Sequence, residues 1–292
     1  MTRINKAIEL LEQGQPVYNI STDGPCFEKG VELAKTWADC INVNLEHHPF
    51  DMAALDAFMH GLIAGGPTRS GHRTPTVIVT LPMAAVSEDA VRANSWMINQ
   101  ALTRGVHGLL LCHAETPGAV RAYVESGRFA YMTAGVGEAL GIGRRGGGGQ
   151  DVAAKMWGLP LPEYMERCDV WPLNPKGEII LGIKIENRRA LANVEASTRV
   201  PGLCFAEWGP GDMGMSFGYP DRHDPPYPPE VWEARNRVFA ALKAAGCYFQ
   251  ESGRSETLLD KIKEGVKFLN VGRSGKELIE TGRKFTNRTM PW

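Results

Sequence analysis

Short apolar runs rich in β-branched residues alternate with longer helix-patterned segments from one end of this chain to the other, and the alternation repeats eight times. Parallel strands need long crossovers, and helices are what usually fill them. Strands are expected near PVYNI (16–20), INVNLE (41–46), TVIVTL (76–81), HGLLLC (107–112), IILGIKIE (179–186), LCFAEW (203–208), CYFQES (247–252) and KFLNVG (267–272). Segments such as PGAVRAYVESG and NRRALANVEAST carry apolar stripes opposite polar faces and read as the intervening helices. Eight such units favour a closed (β/α)8 barrel over an open doubly wound sheet.

Two insertions interrupt the spacing. One runs from about Gly127 to Gly177 and contains GIGRRGGGGQD; the other is GYPDRHDPPYPPE after the sixth strand. The alternation resumes after each, so residues 1–292 are expected to form a single barrel domain, with both insertions as walls or lids of the catalytic face. With 43% apolar and 22% charged residues, the chain can build a sizeable core, which excludes a disordered or coiled-coil protein. Its formal net charge of -1 offers no basic field for nucleic acid. The start, MTRINKAIELLEQGQ, reads as a charged amphipathic helix rather than a secretion signal, and no run approaches the roughly 20 apolar residues of a membrane span. A cytoplasmic protein is expected. The six cysteines, scattered without CxxC pairs, are expected to be buried, reduced thiols.

Strand alternation places Lys184 and Glu186 on one face of the fifth expected strand, and Asn42, Asn44 and Glu46 on one face of the second. Barrel interiors are normally filled by branched apolar side chains, so polar residues at inward positions near strand ends point to a site. After the sixth strand, EWGPGDMGMSFG forms a tight turn in which Gly209 and Pro210 present Asp212 above the barrel mouth. Two carboxylates from adjacent strand ends suit Mg2+ or Mn2+, whereas zinc prefers nitrogen or sulfur ligands. A turn-capping role for Asp212 is the alternative.

The segments LEHHPFD (45–51), GIKIENRRALANVEA (182–196) and GPGDMGMSFG (209–218) resemble, in chain order, signature segments of the HpcH/HpaI aldolase family. The resemblance implies a class II, metal-dependent aldolase on a phosphoenolpyruvate/pyruvate-type barrel, acting on a small molecule and assembling as a hexamer or trimer of dimers. It matches Glu186 and Asp212 to the metal-binding carboxylates and His47 to the catalytic base. Glu46, Thr80, Gly209 and Pro210 fall in the substrate pocket that it implies.

Departures from the family pattern bear on the substrate. Thr80 stands where pyruvate aldolases carry an arginine, Thr103 or Arg104 where an aspartate partners the histidine, and Lys184 where a glutamine precedes the metal glutamate. His113 and Lys184 are candidate replacement acids or bases, a helix-cap histidine and a structural counter-charge being the alternatives. Arg144 and Arg145 lie in a glycine-rich run that lacks a Walker GK[ST] ending, and they read as a flap closing on a substrate anion or as a solvated loop. His48 is expected to pack behind the site. Carbon–carbon lyase chemistry on a bulky or aromatic substrate is the expected function, the latter suggested by Pro225, Pro226 and Tyr227. Decarboxylation or synthesis on the same barrel, and a non-catalytic barrel that binds a small acid, are the alternatives.

Overall fold

The computed structural model describes residues 2–221, 224–272 and 275–291. Among the described residues nine strands run in one parallel sheet: β1 (Val17–Thr22), β2 (Cys40–Asn44), β3 (Thr76–Ala84), β4 (Gly108–Cys112), β5 (Val170–Trp171), β6 (Ile179–Lys184), β7 (Phe205–Glu207), β8 (Tyr248–Ser252) and β9 (Phe268–Asn270). Each neighbour pair from β1 to β4 and from β6 to β9 is hydrogen-bonded, β1 pairs with β9, and β4 pairs directly with β6. Those pairings close an eight-stranded (β/α)8 barrel, as the alternation predicts. The two-residue β5 is the addition: it lies outside the ring, against Ile179 and Ile180 at the start of β6.

Alternation divides the apolar residues into two cores. Val43, Val77, Val79, Leu109, Leu111, Leu181, Ile183 and Ile185 face outward against the helices. Val17, Cys40, Ile78, Leu110, Ile180, Phe205 and Phe268 face the axis and form the barrel floor, together with Ala7, Ile8, Leu10 and Leu11 of the helix Lys6–Glu12. The expected N-terminal amphipathic helix is therefore the plug of the barrel. Gly182 makes the floor possible, since a Cβ there would lie 2.2 Å from the Phe205 ring, which packs 4.5 Å from Phe268.

The first insertion differs from its expected place at the catalytic face. It follows the helix Pro117–Gly127, carries the helices Gln150–Trp157 and Leu161–Arg167, and ends in β5. Its Trp157 indole donates to the Gly105 carbonyl ahead of β4, so the insertion packs around the N-terminal ends of the strands. The physical reason is connectivity: β4 is already joined to its return helix before the insertion begins. The second insertion does lie at the other end, where Tyr227 meets Trp208 edge-on at 5.1 Å just beyond β7. Its Arg222 and His223 lie outside the described residues. The cysteines are all free, and Cys26 is exposed, since it caps a short helix at the surface rather than sitting in a strand. Among the described residues no helix is long and apolar enough to cross a membrane.

Asp39 fastens the plug to the barrel. Its fully buried carboxylate lies 3.1 Å from Lys6 Nζ, 3.1 Å from Arg283 and 2.7 Å from Arg288, and it accepts the Tyr18 N–H. Burial alone would raise its pKa, but Arg288, Lys6 and Arg283 outweigh burial and hold the carboxyl well below the usual carboxylate range. A depressed folded-state pKa means that this stabilisation is present above an unfolded aspartate's pKa of about 4 and fades as pH falls below it. Asp39→Asn is expected to cost about 3–5 kcal/mol in urea unfolding at neutral pH, because the surrounding cations stay buried without their shared carboxylate. The deficit should shrink as the unfolding series is taken below pH 4; a deficit under 1 kcal/mol at pH 7 would contradict this role.

Candidate active site

Two residues beyond each apolar floor position, the axis-facing side chains turn polar. Asn19, Asn42, Thr80, Cys112, Glu207, Gln250 and Asn270 occupy that level, with Gly182 as the gap in the ring. Thr80 Oγ1 donates to Asn42 Oδ1 at 2.9 Å, and Gln250 Nε2 donates to Glu207 Oε2 at 2.9 Å. The buried Asn19 Oδ1 has no hydrogen-bond partner. The level above holds Lys184, and just past the strand ends lie Glu46 and Glu186.

Lys184 is the electrostatic centre of this group. Its Nζ lies 2.5 Å from Glu46 Oε2 and 3.1 Å from Glu186 Oε2. Burial would lower the ammonium's pKa, but Glu207, Glu186 and Glu46 outweigh it and hold the group protonated far above neutrality. Schiff-base chemistry needs a free amine at working pH, so this lysine acts as a cation rather than as a nucleophile. Glu186 is fully buried, and burial, opposed by Lys184 and His113, pushes its carboxyl up. Glu207 is likewise pushed up by burial against the pull of Lys184. For Glu46 burial is outweighed by Lys184, which holds its carboxyl down. Burial pushes the Cys112 thiol far up, so it too is no nucleophile.

Backbone geometry around Glu186 is unusual on both sides. His113, directly after β4, is left-handed with φ 48°, which aims its N–H at Glu186 Oε1 (2.8 Å) while its ring Nδ1 lies 3.3 Å from the same oxygen. Gly209 is left-handed with φ 45°, and a Cβ there would lie 2.5 Å from Glu186 Cβ and 2.9 Å from Oε2. Only glycine leaves room for this carboxylate. Glu186 Oε2 is buried with no hydrogen bond of acceptable geometry, despite the nearby ammonium. The ligand atoms of Glu46, His113 and Glu186 lie within 4.8 Å of one another. These carboxylate oxygens and an imidazole fit a divalent cation; the charge balance agrees, since three carboxylates (Glu46, Glu186, Glu207) face one ammonium.

The remaining expected residues divide. Asp212 is not in that converging group; it occupies the first turn of the helix Pro210–Ser216, not a tight turn, because left-handed Gly209 followed by Pro210 starts a helix. His47 is exposed at the mouth, its Nε2 3.6 Å from Glu46 Oε2, while His48 turns to Asp23 at 3.3 Å. Thr80 is buried against Asn42. The structure does not bring the arginines to the site. Arg145 is buried in the insertion, 4.4 Å over the Phe129 ring and 3.1 Å from the Tyr164 hydroxyl, and exposed Arg144 lies 3.9 Å from Glu125 on the outer wall. An apolar shelf was available to Arg145 in Phe129 and Tyr164, and the glycine run hid it. Thr103 and Arg104 likewise end the helix Ser95–Thr103 ahead of β4, where Arg104 pairs with Asp56, so they cannot partner His47. Glu207 and Gln250 are the residues that sequence reasoning missed. A glutamate alternating with Phe205 in an otherwise apolar strand was the signal.

Comparison with known proteins identifies the family. The family model described as HpcH/HpaI aldolase/citrate lyase matches residues 74–281. A hydroxypyruvate/pyruvate aldolase of Sagittula stellata is 32% identical over 240 residues, covering 82% of this chain and 79% of the relative. A 2-keto-3-deoxy-L-rhamnonate aldolase of Klebsiella pneumoniae is 31% identical over 183 residues, covering 62% of this chain and 61% of that one. The crystal structure of an HpcH/HpaI aldolase/citrate lyase family protein from Burkholderia cenocepacia superposes with a TM-score of 0.71 at 20% identity, over 98% of both chains. With the family model covering most of its length, and with aldolases among its relatives, the chain belongs to the HpcH/HpaI aldolase/citrate lyase family and is a carbon–carbon lyase of the aldolase type.

Proposed function

We propose that this lyase is divalent-metal-dependent, with Glu186 as the anchoring ligand, Asp212 as the second carboxylate and His47 as the proton carrier. The observation that carries the reading is the convergence of the ligand atoms of Glu46, His113 and Glu186 at the end of the barrel. Mg2+ or Mn2+ bound there supplies electrophilic polarisation of a substrate carbonyl, which acidifies the neighbouring carbon. His47 moves the proton, being open to solvent and next to the Glu46 carboxylate, which orients its ring. Gly209 and Pro210 shape the wall behind Glu186, and His113 fixes that carboxylate through its backbone.

The substrate is a small oxo compound larger than pyruvate. Thr80 is spent on Asn42, and Arg144 and Arg145 lie outside the pocket, so neither of these two arginines offers a guanidinium fork to a pyruvate carboxylate. Beside Glu207 and Pro210, Trp208 and Tyr227 line a small cavity with Gln250 and Arg254, and these two rings are what supports a bulkier or aromatic acceptor.

Calorimetry of the wild type should show one Mg2+ or Mn2+ site that Asp212→Ala abolishes; uptake as tight in the variant as in the parent would remove Asp212 from the ligand set. His47→Ala should lower turnover by roughly 10²-fold while the metal stays bound, as loss of a general base typically does. Unchanged turnover would shift the proton transfer to another group. Thr80→Arg should restore a charge-assisted contact of roughly 1.5–3 kcal/mol and raise kcat/KM for pyruvate-to-aldehyde condensation accordingly. Efficient wild-type condensation of pyruvate that gains nothing from the arginine would defeat the substrate argument.

A further inference from the structure

Lys184 places a cation where the metal-ligand group converges. Its Nζ is held by one oxygen of Glu46 and one of Glu186, two of the three residues whose ligand atoms lie within 4.8 Å of one another. The side chain is almost fully buried, at 9% exposure, and its stem rises from the axis-facing side of β6, so the ammonium has few other places to go. One of those places is marked: Glu207, at the adjoining register position of β7, also attracts it. A divalent ion held by Glu186 and Glu46 would lie close to this ammonium, and the repulsion of two cations in a partly desolvated pocket is strong.

We propose that Lys184 is the resident counter-ion of the metal-free site, which a divalent ion must displace from Glu186 and Glu46. Displacement leaves the ammonium free to move between Glu207, at the adjoining register position, and the mouth of the pocket, where it meets the anionic end of an oxo-acid ligand. Metal loading and the arming of an anion contact are therefore one event. Lys184 lowers the affinity of the empty site for metal, and it couples metal binding to carboxylate binding. This rests on the assignment of the metal to Glu186, and it adds a role that neither a structural counter-charge nor a proton-transfer lysine would have.

Mn2+ binding followed by electron paramagnetic resonance, with and without oxalate as a planar dicarboxylate probe, tests both halves. Lys184→Gln should bind Mn2+ at least ~10-fold more tightly than the wild type, within the usual range of coupling between sites. Oxalate should tighten Mn2+ binding in the wild type and do so much less in the variant, because the freed ammonium is missing. Adding Glu186→Gln to Lys184→Gln should abolish the tight site. Equal or weaker Mn2+ binding by Lys184→Gln overturns the proposal while leaving the metal assignment intact. Tightening that survives Glu186→Gln places the effect elsewhere and also overturns it. Failure of both wild type and Lys184→Gln to bind Mn2+ at all overturns the metal assignment itself.

Discussion

Everything at the active end of this molecule depends on the direct hydrogen bonding of β4 to β6. That pairing closes the sheet, and once it is closed every second strand residue must point at a common axis. Side chains distant in sequence are forced into one column, so what one strand contributes is judged against seven others. The floor is apolar and plugged from below by the helix Lys6–Glu12; one level higher the ring turns polar with Gly182 as its gap, and above that Lys184 meets the carboxylates of Glu46 and Glu186. Closure also expels the first insertion, which cannot enter between bonded strands and packs outside with β5 on the rim.

Confinement makes charge expensive, and the site settles the expense unevenly. Glu46 keeps its charge because it sits against the Lys184 ammonium, whereas Glu186 and Glu207 are short of positive partners and are driven toward the neutral form by burial. Glu186 is steadied by the N–H of the left-handed residue after β4 and by the Lys184 ammonium, and the absence of a Cβ at Gly209 leaves it room. A pocket with this imbalance attracts cations, and its own lysine answers only part of that demand.

Strand order and closure were legible because alternation is a property of consecutive residues, and every expected strand is present with its ends shifted by a few residues. The shared face of Lys184, Glu186 and Glu46 was legible for the same reason. What was hidden belongs to the third dimension. Arg145 looks like a flap residue in a glycine-rich run until Phe129 and Tyr164 are seen beneath it. Thr103 and Arg104 align plausibly with a pocket position, but the helix they end delivers them to the far end of β4. Asp212 was read as part of a turn, since Gly209 and Pro210 are turn residues; the same pair also begins a helix, and only the following backbone decides. Glu207 was passed over because one glutamate in the apolar run LCFAEW does not by itself reveal that it stands beside Lys184 in the closed barrel.

The left-handed conformation of His113 has a consequence for how such a site can drift in sequence. Its closest grip on Glu186 is an amide, which every residue but proline possesses, so the identity of the side chain matters less there than the sign of φ. Glycine or asparagine can hold that dihedral and keep the contact; valine or isoleucine would pull the chain back to negative φ and turn the N–H away. Position 113 is thus filtered by backbone shape before chemistry, and an imidazole there is an addition to a grip that the bare chain already makes.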